Sequence, residues 1–372
     1  MTRSPAAPTA HTPRADSESN PLGLRGFDHI EFIVDDAAKW ADYYVRCFGM
    51  RKRAYGEPES GVQGRKAFVV GEGRINFLLA EPAGKGEHAD ALREHLERHG
   101  NGVKDVAFRV GDARLAVKRA QERGATLVRG IDETEDFIAG TIAAYGDVVH
   151  TFIQRKSDRF APGYHNIAGG IEDTDIQLMM IDHVVANVEH METWVEFYHR
   201  VFGFDQTAHF DIDTGRSALM SKVMGDEDGY IKLPINEPSS RNSQIQIFLD
   251  DHGGPGVQHI ALHSSNIITT IEEMRRQGVE FLQVPDTYYE ALPGRVGEIR
   301  EDMERVKELG ILVDRDRPDG YLLQLFTQPI FPRPTFFHEI IQRRGNSEGF
   351  GEGNFRALFE AIEREQSKRG LL

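Results

Sequence analysis

The chain carries one paragraph twice. Residues 26–50, "GFDHIEFIVDDAAKWADYYVRCFGM", return in altered form at residues 179–204, "MMIDHVVANVEHMETWVEFYHRVFGF". An offset of 154 sets Asp28-His29 on Asp182-His183, Trp40 on Trp194, Tyr44 on Tyr198 and Gly49 on Gly203. The same offset still holds at Gly102-Val103 on Gly256-Val257, Ala107 on Ala261 and Gly124 on Gly278. Matches so far apart without a net gap mark an internal duplication. At 372 residues the chain also suits two cores of about 150 residues better than one.

Each copy reads as strand, helix, strands, then strand, helix, strand. Residues 181–188 alternate as a half-buried strand, and residues 191–202 set Trp194, Phe197, Tyr198 and Val201 at helical spacing before Gly203. "GVQHIALH" reads as a strand, and Asn266 as the cap of a helix closed by Gly278. "GYLLQLFTQ" and "TFFHEIIQR" read as later strands. Such alternation predicts an α+β chain of packed βαβ-type units. Setting "AYGDVVHTFIQ" on "PDGYLLQLFTQ", with Phe152 on Phe326, gives an offset of 174. The second copy then holds about twenty extra residues around "LPGRVGEIREDMERVKELG", expected to be a charged, solvated surface helix rather than a lid. The expected organisation is a disordered tail at 1–22, a first domain at 23–160, a polar linker at 161–177 and a second domain at 178–372.

Charge and composition narrow the function. A net charge of −15 argues against a nucleic-acid surface, which needs clustered cations. The one cysteine, Cys47, excludes an intramolecular disulfide framework. The first twenty residues lack an apolar core of the secretory kind, and no run approaches a membrane span. A soluble cytoplasmic protein with no membrane partner is therefore expected.

Chemistry concentrates in the second copy. His183 in "IDHVVANV", His259 in "GVQHIALH" and Glu339 in "FFHEIIQR" lie on separate strands. Strand alternation gives His183 the face of Asn187, and Glu339 the face of Phe337. Two imidazoles and one carboxylate leave half of an octahedron open, as non-haem Fe(II) requires. A lone strand histidine is usually a satisfied core residue, but the duplication supplies a contrast. In the first copy His29 stands at the place of His183, Asp105 replaces His259, and no equivalent of "FFHEIIQR" is evident. That copy reads as a structural half.

Around the trio, Gln244 and Gln246 in "SQIQIFLD", Gln258 and Gln324 are expected on strands, with Phe326 on the face of Gln324. Neutral amides with phenyl faces suit an aromatic ring bearing a polar group. In the tail, Asn354 reads as the cap of a helix carrying Phe355, Leu358, Phe359 and Ile362 on one stripe. The glycine-rich run before it would let that helix swing over the site.

The motifs "IDHVVANV", "PINEP", "SQIQIFLD", "GVQHIAL", "VPDTYY", "ILVDRD", "GYLLQLFTQP", "PTFFHEIIQR" and "GFGEGNFRALFEAIEREQ" resemble the 4-hydroxyphenylpyruvate dioxygenases of the vicinal oxygen chelate superfamily. The similarity spans residues 24–372 and is weaker in the first half, apart from "FDHIEF" and "RFAPGY". The resemblance implies tandem βαβββ modules with the active site in a C-terminal half-open barrel. It implies one Fe2+ per chain on His183, His259 and Glu339. Phe326 and Phe355 would flank the ring, with Phe337, Phe350 and Phe359 near them and Asn354 in the same set. Ser217, Asn236, Gln244, Gln258 and Gln324 would orient substrate.

The implied substrates are an aromatic 2-oxo acid and O2, which would yield homogentisate and CO2 by oxidative decarboxylation, ring hydroxylation and side-chain migration in tyrosine and phenylalanine catabolism. Because the substrate supplies the electrons, no flavin, nicotinamide or 2-oxoglutarate is expected, and no GxGxxG follows a strand. A homo-oligomer is expected, with the first half free for subunit contacts. Three rivals share the fold. Hydroxymandelate synthase resembles the chain closely, but Asn236 and Phe337 favour ring hydroxylation by similarity. A ring-cleaving dioxygenase of catechols fits the amide-rich pocket poorly, and a metal-free binding protein would have no use for the trio.

Overall fold

The computed structural model describes residues 19–167, 174–213, 218–240 and 243–354. The first half runs β1 (Leu24–Ile33), α1 (Ala37–Phe48), β2 (Arg51–Gly56), β3 (Arg65–Gly71), β4 (Phe77–Pro82), α2 (Glu87–His99), β5 (Gly102–Val110), α3 (Ala113–Glu122), β6 (Leu127–Glu133), β7 (Phe137–Ala143) and β8 (Val149–Arg155). A short β9 (His165–Asn166) pairs back onto β2. The second half runs β10 (Leu178–Asn187), α4 (Met191–Phe197), β11 (Asp205–Asp213), β12 (Ala218–Gly225), β13 (Lys232–Pro238), α5 (Gln244–His252), β14 (Gly256–Ser264), α6 (Ile267–Arg276), α7 (Asp286–Val296), α8 (Met303–Glu308), β15 (Leu312–Arg317), β16 (Gly320–Phe326) and β17 (Phe337–Arg344).

Each half is a pair of βαβββ units whose first strands meet antiparallel at the centre of a mixed sheet. The first sheet has the order β6-β7-β8-β5-β1-β4-β3-β2-β9, and the second β11-β12-β13-β10-β14-β17-β16-β15. Each curls into a half-open barrel. Helix starts follow the capping rules: Asp36, Asp112 and Asn266 accept from backbone N–H groups three residues on. Gly49 closes α1, and Gly203 closes the π-helical turn Tyr198–Phe202 that continues α4, both in the left-handed region at φ 63° and 74°, where a side chain would be strained.

Strand alternation separates core from site. Val184, Ala186, Ile260, Leu262, Leu325 and Ile340 point into one core shared by both halves. Their neighbours His183, His259, Gln324 and Glu339 line the inside of the curl.

The sheet orders correct the alignment after the second helix. β8 runs parallel to β5 as β17 runs parallel to β14, so "HTFIQR" at 150–155 is the counterpart of "HEIIQR" at 338–343. Phe152 therefore matches Ile340, not Phe326, and Thr151 stands where Glu339 does. Shared hydrogen bonds confirm the match. Gln154 accepts from the Ala113 N–H as Gln342 does from Ile267, and Arg155 pairs with Asp28 as Arg343 does with Asp182. The extra chain is larger than the sequence suggested and is no solvated ornament. It forms α7 and α8, and α7 buries Tyr288, Tyr289, Leu292 and Val296.

The halves are joined by a reciprocal pair of contacts. Tyr44 reaches His338 Nε2 at 2.8 Å, and Tyr198 reaches His150 Nε2 at 2.7 Å. Each imidazole has its Nδ1 on a backbone carbonyl, that of Ile260 or Val106. A carbonyl only accepts, so Nδ1 carries the proton and each tyrosine donates. Burial pushes His338 down to about 3 and His150 to about 4, so both stay neutral.

Two outcomes follow from this joint. Tyr44→Phe or Tyr198→Phe strands a buried imidazole acceptor and should each lower unfolding stability by about 1–3 kcal/mol, read from urea denaturation. The second concerns pH. His150, His338 and His252, the last also held near 4 by burial, refuse protons that the unfolded chain binds below the ordinary value of 6.5. Stability should therefore fall as pH drops from 6.5 towards 4. Asp105, pushed up to about 6 by burial, binds a proton more readily when folded and opposes this fall. Urea midpoints at pH 7, 5.5 and 4.5 test the sign.

Candidate metal centre

Three adjacent strands, β10, β14 and β17, carry His183, His259 and Glu339. In the register His183 and Glu339 both face Ala261, and His259 lies two residues back on the middle strand. The Glu339 Oε2 atom lies 3.2 Å from His183 Nε2 and 3.6 Å from His259 Nε2. All three residues are buried.

Strict alternation fails at two points here, and both failures serve the site. Between Ile181 opposite Leu262 and His183 opposite Ala261, Asp182 is an extra residue. Between Val185 opposite His259 and Ala186 opposite Val257, Gln258 is another. Such bulges turn a side chain beside its chain neighbour. His183 Nδ1 thus lies 2.8 Å from Asp182 Oδ1, and His259 Nδ1 3.2 Å from Gln258 Oε1. A carboxylate and an amide oxygen only accept, so both Nδ1 atoms carry hydrogen and both Nε2 lone pairs face the Glu339 carboxylate.

Lone pairs facing a buried carboxylate repel unless a cation stands between them. Glu339 Oε1 is buried with no hydrogen-bond partner among the described residues, which leaves it free as a ligand atom. Ring N–H groups donating to a carboxylate and an amide also fix imidazoles as metal ligands require. The residues therefore fit a metal ion with an N2O donor set, and ligand atoms of the trio lie within 4.8 Å of one another. Burial alone would push the Glu339 carboxyl up; with no metal between them, charge and N–H donation from the facing His183 and His259 together hold the group below its ordinary value. Burial disfavours charge on His183, yet the Glu339 carboxylate raises it.

Asp182 is the anchor beneath. Arg343 grips it in a bidentate pair, Nε to Oδ2 at 2.8 Å and Nη2 to Oδ1 at 2.7 Å. Burial would raise that carboxyl; the guanidinium keeps it well below the usual range. The remaining Arg343 Nη1 donates to the Gly349 carbonyl at 2.6 Å, which places Phe350 edge-on to His183, ring centroids 5.2 Å apart. The sequence reading overlooked both Asp182 and Arg343. The signal was present, because Asp28 and Arg155 repeat the pair.

Three phenyl rings gather beside the imidazoles. Phe337 stacks on His259 at 4.7 Å, and Phe326 stands edge-on to both, at 6.2 Å from His259 and 6.0 Å from Phe337. Gln324 is wholly buried on the face of Phe326, and neither of its amide atoms has a partner among the described residues. Asn236 donates to Asn187 Oδ1 at 3.0 Å, which leaves Asn187 Nδ2 buried without a described partner. Asn187, unassigned from sequence beyond its face, joins that polar wall.

Other expectations shift. Gln258 holds the His259 ring through its Oε1. Gln244 and Gln246 lie on α5 rather than a strand; Gln244 is exposed in its first turn, and Gln246 donates to Asp250. Asn354 is not a cap, because the helical turn already starts at Glu352; its Oδ1 accepts from Tyr288 at 2.6 Å. Ser217, Phe355, Phe359 and the swinging tail helix fall outside the described residues.

In the first half the same frame has lost its ligands. His29 is held by Asp28, Asp28 by Arg155, and Phe160 stands edge-on to His29 at 5.2 Å. Asp105 takes the place of His259, and its carboxylate accepts from both the N–H and the hydroxyl of Thr151.

Comparison with known proteins agrees with this geometry. Residues 26–139 and 180–325 match the model of the Glyoxalase/Bleomycin resistance protein/Dioxygenase superfamily. The 4-hydroxyphenylpyruvate dioxygenase of Yarrowia lipolytica is 40% identical, over 98% of either chain. That of Caenorhabditis elegans is 42% identical over 93% of either chain. Among solved structures, a mutant 4-hydroxymandelate synthase from Streptomyces coelicolor superposes with a TM-score of 0.81 at 28% identity, covering 92% of this chain and 99% of that one. On full-length similarity of this order, the chain belongs to the 4-hydroxyphenylpyruvate dioxygenase family.

Proposed function

We propose that the chain converts 4-hydroxyphenylpyruvate and O2 into homogentisate and CO2, in tyrosine and phenylalanine catabolism, with one Fe(II) per chain on His183, His259 and Glu339. The observation that carries this is the buried Glu339 carboxylate facing two imidazole lone pairs. When bound, a ferrous ion with three protein ligands supplies adjacent open positions for a 2-oxo acid and dioxygen. The reaction balances without another cofactor: one oxygen atom ends in the new carboxylate and one on the ring, and the carbon lost leaves as CO2. No flavin, nicotinamide or 2-oxoglutarate is then needed.

The chain's own residues bind and orient. Phe326, Phe337 and Phe350 present ring faces and edges beside the two imidazoles, where they hold an aromatic ring and keep water away. The unpaired Gln324 amide and the Asn236–Asn187 wall offer hydrogen bonds to polar substituents, and Ser217, Gln244, Asn354, Phe355 and Phe359 complete the reading from family motifs. Asp182 and Gln258 keep Nδ1 protonated, so that Nε2 stays a ligand. The domain at 178–372 does the chemistry, while 23–160, joined through 161–177 and preceded by the tail 1–22, supports it and offers surface for self-association. The one buried cysteine, Cys47, suits a reducing cytoplasm.

Protein mixed with Fe(II) and 4-hydroxyphenylpyruvate should yield homogentisate, identified by chromatography and mass. Hydroxymandelate instead would favour the synthase reading that the 28% identical structure keeps in view, and no product with no retained metal would favour a binding protein. Glu339→Gln should lose metal by more than the roughly 10–100-fold typical of changes behind the ligands, and lose turnover with it, at unchanged circular dichroism. Phe337→Leu should alter the product mixture while metal content stays near wild type, because the ring touches His259 but supplies no ligand atom.

A further inference from the structure

The lone-pair argument applies a second time, away from the trio. His95 and His99 lie four residues apart on one face of α2, and Asp147 approaches them from the turn between β7 and β8. One ligand atom from each lies within 4.8 Å of the others. Both histidines are nearly inaccessible, at 2% and 3%. His99 Nδ1 lies 2.7 Å from the His252 carbonyl oxygen and must donate to it. A neutral His99 therefore aims its Nε2 lone pair at the Asp147 carboxylate, 3.4 Å away. His95 Nδ1 lies 2.8 Å from Asp147 Oδ2, and donating there leaves its own Nε2 a bare acceptor. His95 Nε2, His99 Nε2 and Asp147 Oδ1 are all buried without hydrogen-bond partners.

We propose that His95, His99 and Asp147 form a second metal site, for a borderline divalent ion such as Zn2+, at the joint between the two halves. The donor set is again two imidazoles and a carboxylate, the mixture that suits zinc and its neighbours. His-x-x-x-His on a helix puts both rings on one side. The His99 N–H donates to the His252 carbonyl as that of a metal-bound imidazole does, and His95, whose Nδ1 already faces Asp147 Oδ2, would give that lone pair to the ion and carry its proton on Nε2. One group competes: Lys104 Nζ lies 3.0 Å from Asp147 Oδ2. Its side chain is 28% exposed and also donates to the Asp147 backbone carbonyl, so the ammonium can yield the carboxylate and keep that second bond. An ion here ties α2 to the β7–β8 turn, and the His99 bond to the His252 carbonyl passes that order to the second half.

The test counts ions. Full-length protein is stripped with a chelator, incubated with excess Zn2+ or Co2+, desalted and analysed for metal. Wild type should retain two equivalents, Glu339→Gln one, and the double variant His95→Asn with His99→Asn one. One equivalent in wild type with none in Glu339→Gln overturns the second site. One equivalent in wild type that survives Glu339→Gln but is lost in the double variant sustains the second site and overturns the reading of the trio, on which the proposal otherwise leans only by analogy. Should the double variant fail to fold, the wild-type count of two against one still decides.

Discussion

The pair of Asp182 with Arg343 holds the site together. It spans from β10 across β14 to β17, and one guanidinium serves three tasks: it fixes the Asp182 carboxylate, through it the His183 ring, and through Gly349 the position of Phe350. A buried ion pair adds little net stability over an apolar substitute, yet losing one partner costs about 3–5 kcal/mol because the other charge is left stranded. Such a pair specifies geometry. His183 can then keep its Nε2 aimed inward whether or not a ligand is present.

The duplication separates structural from chemical demands within one molecule. Asp28, Arg155, His29 and Phe160 reproduce the anchor, its clamp, the imidazole and the edge-on ring, although the first half lacks the ligand set. The frame therefore serves folding in both halves, and the two differ at the few positions that carry the ligand set. The same holds at the joint. Tyr44 with His338, and Tyr198 with His150, exchange like contacts across the shared core, so each half satisfies a buried imidazole of the other. His338 sits next to Glu339, one on each face of β17, and links the joint to the site through a single peptide.

Much of this was legible in the sequence. The repeat, the trio and the phenyl rings on their strands all stood out, because a long register and period-two alternation survive without coordinates. The losses have physical causes. In "SQIQIFLD" Ile245, Ile247 and Leu249 mimic strand alternation, but Ile247 is 54% exposed and the buried set is Ile245, Phe248, Leu249 and His252, a helical spacing. Gln258 could not be placed by alternation because a bulge sits on it. The mismatch of Phe152 with Phe326 arose from likeness between neighbouring strands of one sheet, and only strand order tells β7 from β8. The burial in α7 was hidden by the charged residues around Tyr288 and Tyr289.

The first half also shows why the ligand set was lost as a unit. With Glu at 151, Asp105 would bring two carboxylates together in a buried row, a repulsion that only a bound cation would relieve. With His at 105, Thr151 would leave two imidazoles and no anion. Asp105 with Thr151 is self-sufficient, because the threonine N–H and hydroxyl both donate to the carboxylate and burial, pushing the Asp105 group up to about 6, reduces its demand for a counter-charge. Glu339 Oε1 has no such donor among the described residues. What divides the two halves is thus whether the buried carboxylate meets its own hydrogen-bond donors or must wait for a cation.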